Sequence, residues 1–250
     1  MIGLVARHEI RRLAGSAQSW VVAATIAAVA GWLFLSRLER WLAVQDELRL
    51  QDHAPGLAGF LGTTFLAPLA IVLSVVAPLY AMRAFAEDRR DHVWPLWQSA
   101  PVSLTALVLG RFLGVSVALA GFVALGVAMV LSLAPFVALD LGTLASGAAG
   151  LAACTLAAGA LGLWCSSLVR APLAGATAAV GAVLLAWLVG SARFESPALS
   201  GIASLSPGTR LAGFLQGAPA TGDVAYFAIA VALFLALTVI RLDALRHAGG

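Results

Sequence analysis

FAEDRRDHVWPLWQSAPVSLTALVLGRFL, residues Phe85 to Leu113, is the stretch on which the reading of this chain turns. It carries six charges, five of them clustered at Glu87, Asp88, Arg89, Arg90 and Asp91 and the sixth at Arg111, and Pro95 and Pro101 interrupt it. Long apolar segments flank it on both sides. Of the 250 residues 61% are hydrophobic and only 11% charged, against about 45–50% and about 25% in soluble domains. The chain is therefore read as an all-α polytopic membrane protein, and the charged stretch as an aqueous connection between two of its spans.

Working outward, charge-free runs occur at Leu13 to Ser36, Ala54 to Met82, Phe112 to Leu139, Leu141 to Val169, Ala171 to Ala192 and Val224 to Ile240. A hydrocarbon core of about 30 Å needs about 20 apolar helical residues. The runs predict six transmembrane helices near residues 19–36, 62–83, 112–133, 143–167, 172–190 and 224–241, in one transmembrane domain over 1–250. Val93 to Gly110 also lacks formal charge, but its prolines, Gln98, Ser99 and Ser103 would leave polar groups unmet in lipid, so it is not counted as a span.

All fifteen basic residues are arginine. With six spans, ten arginines fall on the side of the termini (Arg7, Arg11, Arg12, Arg83, Arg89, Arg90, Arg111, Arg170, Arg241 and Arg246) and five on the other (Arg37, Arg40, Arg49, Arg193 and Arg210). The positive-inside rule places both termini in the cytoplasm. The scattered positive charge forms no basic stripe, so no nucleic-acid partner is expected.

At the N-terminus, Ile2, Val5, Ile10 and Leu13 lie near one helical face and Arg7, Arg11 and Arg12 near another. This is the pattern of an interfacial helix contacting membrane lipid. Ala28, Val29 and Ala30 also resemble a signal-cleavage site, but the apolar run continues through Leu35, which favours a retained span. From Arg37 to Asp52, Leu38, Trp41, Leu42 and Leu48 fit either an external amphipathic helix or a continuation of the first span. In the fourth span Gly150, Cys154, Ala158 and Gly162 recur at four-residue intervals, a small-residue face for helix packing. Cys154 and Cys165, eleven residues apart on one helix, are beyond disulfide reach. Between Ser191 and Asp223, Leu211, Phe214 and Leu215 suggest a short helix on the outer surface.

Much chemistry is missing. The chain has no lysine, hence no phosphate-binding P-loop, and the charge-free runs hold no ionisable residues of the kind that mark proton or ion paths. His8, His53, His92 and His247 are dispersed, so no metal site is expected. No paired carboxylates or nucleophile with a base occur at membrane depth, which disfavours a membrane-embedded enzyme.

The central run, from Met82 through Gly114, resembles the cytoplasmic loop of type-2 ABC transporter permeases. There R-F-A-E-E-R ends the second span, and L-L-x-x-P-V-S followed by V-L-G-K-F-L opens the third. Phe85, Ala86, Glu87, Arg89, Pro101, Val102, Ser103, Val108, Leu109, Gly110, Phe112 and Leu113 match that pattern. The fourth span and DVAYFAIAVALFLALT near the end are similar to those of the gliding-motility-type branch. The chain departs from the pattern at Asp91 and His92, where Gly-Thr is usual, and at Trp94, Pro95 and Trp97.

The resemblance implies a permease that dimerises with a second copy or homologue in a bacterial inner membrane. It would rest on cognate ATPase subunits, which bind ATP and Mg, so this chain has no catalytic residue or cofactor of its own. A coupling helix between spans 2 and 3 would dock on the ATPase through Glu87, Asp88, Arg89, Arg90, Trp94, Trp97, Pro101, Val102 and Ser103. Exposed charges beside buried aromatic anchors suit such docking. The expected function is ATP-driven export of an unidentified substrate. The alternative is a non-transporting scaffold that passes conformational change to periplasmic partners, with or without an accessory subunit.

Overall fold

The computed structural model describes residues 2–48, 56–82, 84–86, 103–169, 171–191, 201 and 203–248. These are helical with short turns, and no strand occurs among them. In chain order the helices are α1 (Ile2–Gly15), α2 (Ala17–Leu48), α3 (Leu57–Leu61), α4 (Ala67–Ala81), α5 (Leu104–Leu131), α6 (Leu141–Leu168), α7 (Pro172–Ser191), α8 (Pro207–Leu215) and α9 (Thr221–Ala248). Six stretches are long and apolar enough to cross a membrane: Ala17–Gln45, Leu57–Ala86, Leu104–Leu131, Leu141–Leu168, Pro172–Ser191 and Thr221–His247. The protein is thus all-α and polytopic, with the six spans expected.

The second of these spans is not a uniform helix. A wide π turn at Gly62–Leu66 joins α3 to α4. Pro68 cannot donate to the carbonyl four residues back, and a wider turn accommodates that missing donor. Thr64 Oγ1 donates to the Phe60 carbonyl at 2.7 Å, and Thr63 Oγ1 lies 3.2 Å from the carbonyls of Gly59 and Phe60.

At the centre of the bundle α6 packs against α4, α9, α7, α8 and α5. Its glycines permit the close approaches. A Cβ on Gly162 would sit 2.7 Å from the Pro78 Cα, and one on Gly150 would sit 2.5 Å from the Phe214 Cβ. Cys154 faces Ser74, whose hydroxyl lies 3.4 Å from its sulfur. Ala158, on the same flank, borders a cavity instead. Cys154 and Gly162 thus both meet α4, Gly150 meets α8, and Ala158 borders a cavity. Both cysteines are free thiols.

Elsewhere the structure departs from the sequence reading in two places and selects between two readings in a third. Of the two readings for the segment after the first span, the continuous one holds: α2 runs unbroken to Leu48, because nothing after Gly31 breaks it, and Trp41 stacks on Phe60 at 5.1 Å. The third helix begins at Leu104, well before residue 112, because Ser103 caps it by accepting from the Ala106 N–H at 3.3 Å. The last helix is 28 residues long and continues through Arg241 and Asp243. The short helix expected between Ser191 and Asp223 is present as α8. Two residues past its end Gly217 has a φ of 79°, which favours glycine.

Candidate functional site

The charged connection has two roots, residues 84–86 and Ser103, and the structure shows how each is fixed. Glu87, Asp88, Arg89, Arg90, Trp94, Trp97, Pro101 and Val102 lie outside the described residues; of the proposed docking set only Ser103 is described, as the α5 cap.

At the first root Ala84, Phe85 and Ala86 are fully buried. Ser166, near the end of α6, holds them. Its hydroxyl accepts from the backbone N–H groups of Phe85 and Ala86, each at 3.2 Å, and donates to the Met82 carbonyl at 2.9 Å. One buried oxygen thus ties the exit of span 2 to the end of span 4. Leaving such groups unmet away from water costs about 1–3 kcal/mol, so the tie is strong for its size.

The second root is bound to the first by Arg111. Its guanidinium lies 4.6 Å from the centre of the Phe85 ring, and the residue is only 3% exposed. A cation over an aromatic face is attracted by the ring quadrupole, more strongly when both are desolvated. Counting Arg111 as a solvated loop charge was therefore incorrect: α5 starts early enough to carry it into the packed bundle.

Around these roots α1 packs along the start of α5. A Cβ on Gly110 would meet Val5 Cβ at 2.6 Å, and one on Gly114 would meet Glu9 Cβ at 2.5 Å. The two glycines, four apart, form a notch into which α1 fits. Glu9 is buried at 2% exposure and pairs with Arg12 at 2.7 Å; a charge in that position needs such a partner. Tyr80 then donates to the Ser19 carbonyl at 2.9 Å, joining α4 to the start of α2. Sequence reasoning placed Ile2, Val5, Ile10 and Leu13 near one apolar face but overlooked Glu9. The Gly110 and Gly114 spacing was the signal available for this contact, whereas no local pattern announced Ser166.

At the opposite end of the bundle, Arg210 of α8 pairs with Asp223 at 3.2 Å and lies 5.8 Å from the Tyr226 ring centre. Asp140 caps α6 there, accepting from the N–H groups of Gly142 and Thr143 and from the Thr143 hydroxyl at 2.6 Å. These bonds, led by the one from the Thr143 hydroxyl, hold its carboxyl below the usual carboxylate range.

Among the described residues no three His, Cys, Asp or Glu side chains gather as metal ligands. The described ends of the connection are thus tied to span 4 through Ser166 and to span 3 through Arg111.

No curated protein matches the chain. Residues 44–240, more than three quarters of its length, match the family model described as ABC-2 family transporter protein. A match of that extent spans five of the six membrane helices and the charged connection, and the chain therefore belongs to the ABC-2 transporter family, as a multi-pass membrane permease component of an ABC transporter.

Proposed function

We propose that this chain is a dimerising permease of the gliding-motility-type branch, placed in a bacterial inner membrane with both termini cytoplasmic. ATP hydrolysis on separate subunits drives it to export or translocate its substrate. The ATPase docks on residues 87–103, with Arg89 and Arg90 forming ion pairs and Trp94 and Trp97 serving as apolar anchors. The observation that carries this reading is the anchoring of both roots of that connection inside the bundle, at Ser166 and at Arg111. A connection fixed at both ends moves the spans when it is pushed. A loose one would absorb the motion.

The test is charge reversal. The double variant Arg89→Glu, Arg90→Glu should weaken co-purification of the cognate ATPase at least about tenfold, since like charges brought together cost several kcal/mol. Membrane insertion and the melting temperature of the permease should stay unchanged. Undiminished ATPase capture would remove residues 87–103 from the docking surface.

A further inference from the structure

Helix α1 packs along the start of α5, with a smaller contact to α2. The notch that receives it, at Gly110 and Gly114, brackets Phe112, where the charge-free run of the third span begins. α1 therefore lies at the level where that span enters the hydrocarbon. Trp20 marks the same boundary. Its indole N–H donates to the Ala14 carbonyl at the end of α1 at 2.8 Å, the residue is 65% exposed, and tryptophan is usual at that depth.

Much of the apolar stripe of α1 is turned to the bundle. Val5 and Leu13 pack in its core. Glu9, the only acidic residue of the helix, is buried beside Gly114 and paired with Arg12 at 2.7 Å. At about 3.6 residues per turn, Arg7 and Arg11 fall on the side opposite Val5 and Glu9. Both are exposed, and neither forms a hydrogen bond or ion pair among the described residues. Leu4, on the same side, is 68% exposed. The outward face of α1 thus carries two unpaired cations four residues apart and no acid, with apolar Leu4 and Trp20 beside them.

We infer that this face binds anionic phospholipid, with the guanidiniums of Arg7 and Arg11 on headgroup phosphates and with Leu4 and Trp20 at the acyl boundary. An aqueous partner would match the two cations but leave Leu4 and Trp20 against water. A zwitterionic lipid would match the apolar pair but offset each phosphate with its own ammonium. Anionic lipid matches both. Lipid bound there holds α1 in its notch from the outer side. Which leaflet supplies it follows from the orientation proposed above; the contact itself does not depend on that orientation.

The test uses the full chain in vesicles of phosphatidylethanolamine with either phosphatidylglycerol or phosphatidylcholine. A trace of one of the latter two carries a diazirine near the ester end of an acyl chain. After illumination the phosphatidylglycerol probe should label residues 3–11 about twenty-five-fold more than the phosphatidylcholine probe, since each of two basic residues at an anionic surface contributes a factor of about five. Exposed Leu141, next to Asp140 at the far end of the bundle, should show no preference for the phosphatidylglycerol probe. Arg7→Gln with Arg11→Gln should bring the two probes level on α1, whereas Arg7→Lys with Arg11→Lys should keep most of the preference. Amide exchange across α1 should be slower with phosphatidylglycerol than with phosphatidylcholine in the native chain and alike in the glutamine variant. Equal labelling of native α1 by the two probes, a preference that survives the glutamine variant, or α1 exchange indifferent to the lipid would overturn the inference. So would loss of the α1 adducts on adding the cognate ATPase, which would assign this face to that subunit.

Discussion

Helices α6 and α9 are both 28 residues long, yet in their most apolar windows 56% of the fourth span is buried and only 17% of the sixth. Hydropathy runs the other way, at 1.7 for the fourth and 2.3 for the sixth. The less hydrophobic helix occupies the centre. In water the order would be reversed, but lipid is as apolar as leucine and supplies no force to bury a greasy face. Backbone proximity decides instead. Gly147, Gly150, Gly159 and Gly162 let α6 approach its neighbours closely, whereas α9 carries leucine, isoleucine and valine into lipid.

That contrast is most exposed to failure at Gly162. Gly162→Leu would drive a side chain into the Pro78 backbone and should cost at least about 3 kcal/mol, read as a lower melting temperature in detergent. Ala232→Leu on the exposed face of α9 should leave the melting temperature nearly unchanged. Equal effects at the two sites would erase the distinction between a centre set by small residues and a periphery set by lipid.

A smaller effect sharpens the comparison at the end of α6. Ser166→Ala removes the hydroxyl that holds the Phe85 and Ala86 N–H groups and should cost about 1–2 kcal/mol. It should also raise protease cleavage between residues 87 and 102 in inside-out vesicles. Ser166→Thr, which restores a hydroxyl, should recover part of both.

The least effect is expected at Asp140, on the opposite end of the same helix. Its carboxyl is held below the usual carboxylate range by Thr143 and Gly142. The stabilisation is therefore complete above the unfolded value of about 3.9 and is lost as pH falls through the lower folded value. Asp140→Asn should therefore lower thermal stability slightly and evenly near neutrality, and between those two values it should flatten the acid-side slope so that the two curves converge at low pH.

Much of this bundle was legible from composition and punctuation. The charge-free runs gave six spans because lipid tolerates few charges, and Ser191 to Asp223 advertised α8 through Leu211, Phe214 and Leu215. Boundaries were less legible. Val93 to Gly110 was kept out of the spans because Pro95, Pro101, Gln98, Ser99 and Ser103 suggested aqueous chain, yet Ser103 is itself a helix cap. The segment after Ser36 offered two readings, and the unbroken α2 selects the one in which the helix continues. The four-residue spacing in α6 announced close packing, but one dimension of sequence could not say that Gly150 meets α8 and Gly162 meets α4. Ser166 was invisible, since its partners are 80 and 81 positions away. Glu9 was invisible too, because an acidic residue beside three arginines looks solvated until a glycine notch receives it.

The bridge made by Ser166 also has a bearing on biogenesis. The amides of Phe85 and Ala86 leave the ribosome long before the serine that satisfies them, so the mouth of the hairpin acquires its finished shape only once the fourth span has entered the bilayer. A cytoplasmic subunit that recognises that finished mouth would pass over half-made chains, and premature assembly would be avoided without any dedicated chaperone.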